Sequence, residues 1–181
     1  MIDLQLIEEC RGGNFNNFRK LAEQTSPFAF SLAFRMLGDD DLAKDIVQET
    51  MVTIWQKLNN IRSAEAYTTW IRKVVINKCY DCLRQKKRNR EYRANDKTWL
   101  LLSERISQMQ SDNLENEQIA QIISMLTDKL SPKQKTIFVL SEVEEMTSEE
   151  ISEATGMTRS TIKSNLYYAR KSISEMIGKY L

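Results

Sequence analysis

The sequence predicts an all-α protein, two small helical domains joined by a flexible polar linker, with a helix-turn-helix in the C-terminal domain. Three observations carry that expectation. Gly and Pro are scarce, five and two in 181 residues, which argues against the many tight turns of a strand-rich fold. Apolar side chains recur at helical spacing through most of the chain, and that periodicity is the primary signal of amphipathic helices. Charge is also blocked: residues 1–60 hold 6 basic and 9 acidic side chains, residues 61–97 hold 11 and 4, residues 98–157 hold 4 and 11, and residues 158–181 hold 5 and 1. An overall charge of +1 therefore conceals two basic blocks separated by an acidic one, as expected of two nucleic-acid contacts on separate modules.

Element by element, Phe15, Phe18, Leu21 and Ala22 give a first stripe, and Phe28, Leu32, Met36 and Leu37, after Ser26-Pro27, give a second. Gly38 ends that pattern, and Asp39 to Asp41 supply an N-cap for a long amphipathic helix marked by Leu42, Ile46, Val47, Thr50, Met51, Ile54, Trp55 and Leu58. A break at "NNIRSAEA" precedes another helix, from about Ala64 through Tyr67, Trp70, Ile71, Val74, Val75 and Leu83 into the basic run Arg84 to Arg93. Such a run also arises as a solubilising helix end. The polar, acidic stretch from Asn95 to Glu117, apart from Trp99 to Leu102, marks the boundary, giving domains at 1–94 and 117–181 with a linker at 95–116. Beyond it, Ile119, Ile122, Ile123, Leu126 and Leu130 predict a helix, and Ser131-Pro132 is a cap followed by proline in the first turn of the next.

Three cysteines and no histidine narrow the chemistry, because histidine is the usual general base near neutral pH and a frequent metal ligand. Cys79 and Cys82 form a C-x-x-C inside an apolar helical pattern, and Cys10 alone cannot complete a tetrahedral zinc site. Helix packing is the expected role, with no catalytic residue, no metal and no cofactor. The N-terminus is acidic, and no run of about eighteen apolar residues occurs, so no membrane insertion and a cytoplasmic location are expected.

The C-terminal block reads as a helix-turn-helix. Thr147 and Glu150 have the spacing of a capping box, Gly156 suits a left-handed corner that Met157 plugs, and Thr158 caps the next helix. In that helix Ile162, Leu166, Ala169 and Ile173 fall on one stripe, while Ser160, Ser164, Tyr167, Tyr168 and Lys171 fall opposite, flanked by Lys163 and Asn165. Such a face suits a major groove: Ser164 and Asn165 for base edges, Tyr167 for a thymine methyl, Lys163, Arg170 and Lys171 for phosphates. Glycine-cornered hairpins also occur in proteins that never touch DNA, where Tyr167 and Tyr168 would serve interhelix packing.

Both halves together resemble the extracytoplasmic-function group of bacterial RNA polymerase sigma factors. The resemblance rests on "LGDDDLAKDIVQETMVTIWQKL" and "TTWIRKVVINKCYDCLRQKKR" in the first half, and on "LSPKQKTIFVLSEVEEMTSEEISEATGMTRSTIKSNLYYARKSI" in the second. It implies a dissociable specificity subunit rather than an enzyme, with core RNA polymerase, promoter DNA and an anti-sigma factor as partners. Asp45, Gln48 and Glu49 match positions where the family docks on the clamp helices of the largest polymerase subunit. Ile61 to Tyr67 matches the loop that captures an unstacked base of the minus-ten element, with Arg62, Ser63, Glu65 and Tyr67 as pocket members and Arg72, Lys73, Asn77 and Arg84 as strand contacts. For the minus-thirty-five element the resemblance points to Ser160, Lys163, Ser164, Asn165, Tyr167, Tyr168, Arg170 and Lys171. At Asn165 and Tyr168 the family frequently has arginines, so a shallower salt dependence of DNA binding is expected here.

Two rivals stand beside that reading. A stand-alone helix-turn-helix regulator accounts for Ser148 to Ile173 but leaves the pattern from Gly38 to Arg88 without a reason. A polymerase-binding scaffold that avoids DNA fits the basic block at 61–97 poorly.

Overall fold

The computed structural model describes residues 4–11, 15–61, 63–90 and 123–177. The linker expected at 95–116 and the Trp99 to Leu102 run lie outside the described residues. Packing divides the chain into two compact units, Met1–Phe34 with Asp39–Cys79, and Arg35–Gly38 with Tyr80–Leu181. Every regular element among the described residues is helical.

The first unit draws on four helices: α1 (Leu4–Arg11), α2 (Phe15–Leu37), α3 (Asp40–Lys57) and α4 (Ala64–Arg90), with a 3-10 turn at Leu58–Asn60. Its core is assembled from stripes at helical spacing: Ile7 and Cys10 from α1, Leu21, Thr25, Ala29 and Leu32 from α2, Ala43, Ile46, Thr50 and Ile54 from α3, and Tyr67, Ile71, Val75 and Cys79 from α4. Each fully buried Leu or Ile contributes roughly 1.5–3 kcal/mol relative to leaving it in water. Asp39 caps α3 as expected, its carboxylate accepting the Leu42 N–H at 3.1 Å.

The two helices expected either side of Ser26-Pro27 are one. Pro27 sits inside α2, on its exposed side. An interior proline removes one backbone hydrogen bond and costs about 3 kcal/mol. The compensation is visible on both sides of it: Leu21, Thr25, Ala29 and Leu32 share one buried stripe that a break at Pro27 would disrupt. Thr25 and Ser26 also donate their hydroxyl protons to the Leu21 and Ala22 carbonyls, each at 2.7 Å. Several buried side chains outweigh one missing bond.

In the second unit residues 123–126 are helical, and Ser131 then starts α5 (Pro132–Phe138) with a full capping box to Gln134 and proline in the first turn. A π-helical turn (Val139–Val143) follows, then α6 (Ser148–Thr155) and α7 (Arg159–Ile177). Ile137, Val139, Leu140, Met146, Ile151, Ala154, Ile162, Ala169 and Ile173 are buried. α7 packs on both α5 and α6, and Leu130, Ala169 and Ile173 gather Phe138 and Met176 around them.

Candidate nucleic-acid interface

The helix-turn-helix is built from short-range bonds. Thr147 Oγ1 accepts the Glu150 N–H at 3.2 Å while the Glu150 carboxylate accepts the Thr147 N–H at 2.8 Å, satisfying two donors at the start of α6. Gly156 ends α6 with φ 72° and ψ 7°, its N–H donating to the Ser152 carbonyl at 2.8 Å. Ser152 ties the corner by donating to the Met157 carbonyl at 2.7 Å. Thr158 Oγ1 accepts the Thr161 N–H at 3.2 Å, which starts α7.

With Ile162, Ala169 and Ile173 turned into the core, the opposite face of α7 is set by geometry alone. Ser160, Lys163, Ser164, Tyr167, Tyr168, Arg170 and Lys171 are exposed, and Asn165 is half-buried. Tyr167 and Tyr168 stand 63% and 57% exposed with ring centroids 5.4 Å apart, edge to face, so their rings face outward rather than pack between helices. Asn165 Nδ2 donates to the Thr161 carbonyl at 2.8 Å, and Ser164 Oγ donates to the same carbonyl at 3.2 Å. Three cations of this helix meet carboxylates: Arg159 with Glu149 at 2.8 Å, Arg170 with Glu142 at 2.7 Å and Lys171 with Glu175 at 3.9 Å.

In the first unit Asp45, Gln48 and Glu49 are exposed on α3, opposite Ala43, Ile46, Thr50 and Ile54. Their i, i+3, i+4 spacing makes one patch. Glu49 accepts from Lys78 of α4 at 3.0 Å. Sequence reasoning missed Val52, which continues that patch and is 56% exposed. It also placed Trp55 on the apolar stripe, whereas Trp55 is 46% exposed and packs edge to face on Phe18 and Phe15, with centroids 4.8 and 6.4 Å away. The signal for both was available: Val52 and Trp55 fall outside the arc defined by Ile46, Thr50 and Ile54.

The stretch from Ile61 to Tyr67 separates into different roles. Ile61 is buried, and Arg62 lies outside the described residues. Ser63 Oγ accepts the Ala66 N–H at 3.1 Å, and the Ser63 carbonyl accepts the Tyr67 N–H at 3.0 Å. Glu65 is exposed, and its own backbone N–H, then the Ser63 hydroxyl, hold its carboxyl below the usual range.

Tyr67 corrects the expectation of a base-pocket member: it is fully buried. Its hydroxyl lies 2.9 Å from Thr25 Oγ1. Because Thr25 spends its own proton on the Leu21 carbonyl, Tyr67 is the donor. Burial, the largest cause, pushes the phenol up to about 12. Tyr67 thus fixes the start of α4 from within the core. Trp70, expected in the core, is only half-buried, 6.3 Å from the Tyr67 ring.

Along α4, Lys73 is exposed, Arg72 is half-buried with its guanidinium 5.8 Å from the Phe28 ring centroid, and Asn77 donates to the Lys73 carbonyl at 2.9 Å. Arg84 is exposed, beside the Tyr80 ring and 3.5 Å from Asp81. Cys79 is buried, Cys82 half-buried, and no cluster of His, Cys, Asp or Glu among the described residues is arranged to hold a metal. No described helix is long and apolar enough to cross a membrane.

Comparison with known proteins adds a family pattern to this geometry. Residues 21–89 match the family model for Sigma-70 region 2, and residues 120–173 match that for Sigma-70, region 4. The chain is similar to the RNA polymerase sigma factor SigV of Bacillus subtilis (strain 168), 30% identical over 142 residues that cover 78% of this chain and 80% of that protein. It is also similar to the ECF RNA polymerase sigma factor SigW of the same organism, 21% identical over 176 residues and 94% of each chain. Among solved structures, the sigma factor RpoE in complex with the anti-sigma factor NepR from Bartonella quintana aligns with a TM-score of 0.60 at 19% identity, covering 90% of this chain and 97% of that one. CnrH in complex with the cytosolic domain of CnrY aligns at 0.58 and 19% identity, over 96% of each. At such identity the two structures establish shared fold alone.

Proposed function

Since the chain belongs to the sigma-70 family, within its extracytoplasmic-function group, we propose that it binds core RNA polymerase and directs promoter-specific initiation of transcription. Catalysis belongs to the polymerase, and the chain supplies specificity. One observation carries the reading: the region 2 and region 4 patterns occur in order on one chain, and the second coincides with a helix-turn-helix whose α7 turns a polar, aromatic and cationic face outward.

In this reading residues 1–94 dock on polymerase and open the minus-ten element, 95–116 link, and 117–181 read the minus-thirty-five element. Asp45, Gln48 and Glu49 pair with cations of the polymerase around exposed Val52. Ser63 and Glu65 at the head of α4, with Arg62, meet an extruded base, while Arg72, Lys73, Asn77 and Arg84 follow the strand. Opening DNA forfeits stacking of about 1.4 kcal/mol per base-pair step, so the protein must hold what it extrudes. The minus-thirty-five contacts are Ser160, Lys163, Ser164, Asn165, Tyr167, Tyr168, Arg170 and Lys171. An anti-sigma factor is the natural further partner, because a solved relative of the same fold was captured with one. The site of action is wherever the polymerase works, the cytoplasm.

Adding the protein to core polymerase and a promoter library should yield specific run-off transcripts, and failure to bind core would overturn the proposal. Asp45→Ala should weaken core binding by about 10–100-fold, the worth of a charge-assisted hydrogen bond, with an unchanged melting temperature. A stand-alone regulator predicts no change.

A further inference from the structure

Arg170, an exposed cation on the flank of α7, does not face solvent alone. Its guanidinium donates to Glu142 at 2.7 Å, and Glu142 sits on the π-helical turn between α5 and α6. That turn and the residues after it leave the α-helical hydrogen-bond pattern. Glu144 N–H reaches the Val139 carbonyl at 3.0 Å, Met146 N–H reaches Leu140 at 2.9 Å, and Glu145 adopts φ 54° without being glycine. Short π turns concentrate at functional positions, and a non-glycine residue in the left-handed region costs energy that something else must offset. The wider turn rotates the residues after it out of the α-helical register, and the carboxylate it carries meets α7. Arg159 and Glu149 form a comparable pair, 65% and 52% exposed; in the Arg170 pair the arginine is 59% exposed and Glu142 31%, so the carboxylate is the more sheltered partner.

We propose that Glu142 is an affinity-setting residue, an internal stand-in for a DNA phosphate that occupies Arg170 while the protein is free and lowers the attraction of α7 for DNA. The inference rests on the reading of α7 as the DNA-facing helix. A phosphate oxygen and a carboxylate oxygen compete for the same guanidinium donors. A neutralised arginine displaces no phosphate counterion, so the free chain binds duplex with one fewer effective cation than its sequence suggests. Replacing the carboxylate by an amide of the same shape removes the competitor and leaves the π turn in place.

The test uses the full chain, without polymerase, on duplex DNA of mixed sequence across a potassium chloride series. Glu142→Gln should bind more tightly at low salt, by up to about fivefold for an exposed pair. It should also steepen the slope of log affinity against log salt by about 0.9, one phosphate's worth. In the double variant Glu142→Gln, Arg170→Gln that steepening should be absent, because the released cation is no longer there. An unaltered slope in Glu142→Gln, or weaker binding, would overturn the inference and make Glu142 a support that positions Arg170. Steepening that persists in the double variant would overturn it too. Thermal melting of each variant separates these outcomes from unfolding. Run-off transcription with core polymerase tests the sigma reading separately, since a protein that supports it while showing no slope change refutes only the role of Glu142.

Discussion

Replacing Tyr67 by phenylalanine separates a core residue from a base-contacting one. The ring is fully buried and its hydroxyl makes one bond, to Thr25, at 2.9 Å. Phenylalanine keeps the packing and leaves Thr25 Oγ1 short of one donor while its own proton stays on Leu21. The cost at neutral pH is that of a net hydrogen bond, about 0.5–1.5 kcal/mol. The Thr25→Val, Tyr67→Phe double variant should lose less than the sum of the singles, because the shared bond can be removed only once. Alkaline pH adds a second readout. The folded phenol titrates near 12 against 10.0 for the free side chain, so its raised value stabilises the fold fully below pH 10. That contribution declines as pH rises from 10 through 12, and the gap corresponds to roughly 2–3 kcal/mol. Denaturant melts of the full chain from neutral to alkaline pH should show this decline in the wild type and its absence in Tyr67→Phe. A variant as stable as wild type at neutral pH, with the same alkaline loss, would mean that Tyr67 is not buried as described.

Other consequences are equally direct. Gly156→Ala places a Cβ where no atom lies within 4 Å, so only the left-handed backbone at φ 72° resists it. The fold should lose about 1–2 kcal/mol, read as a lower melting temperature of the full chain, and an unchanged melt would show that the corner relaxes. Tyr168→Arg restores a cation at an exposed position of α7 and should steepen the salt slope of duplex binding by about 0.9. An unaltered slope would place Tyr168 away from the phosphates.

Much of the second unit was legible in the sequence because its instructions are local. Ser131-Pro132, Thr147 with Glu150, Gly156 and Thr158 each act on backbone donors or torsions within a few residues, and each takes the geometry its chemistry demands. The same holds for Gly38 and Asp39 at the junction of α2 and α3. The outward face of α7 followed from periodicity, since fixing Ile162, Ala169 and Ile173 inside fixes Ser160, Lys163, Ser164, Tyr167, Tyr168 and Lys171 outside.

Long-range neighbours decided the rest. Pro27 locally favours a break, yet the buried stripe from Leu21 to Leu32 keeps α2 whole. Tyr67 carries a polar tip suited to a pocket, but Thr25, forty-two positions earlier, draws it into the core. The π turn that brings Glu142 to Arg170 has no short sequence signature. Caps and turns are set by bonds a few residues long, and a sequence displays them. Burial and pairing depend on which surfaces meet across tens of residues, and those meetings are settled only when the chain folds.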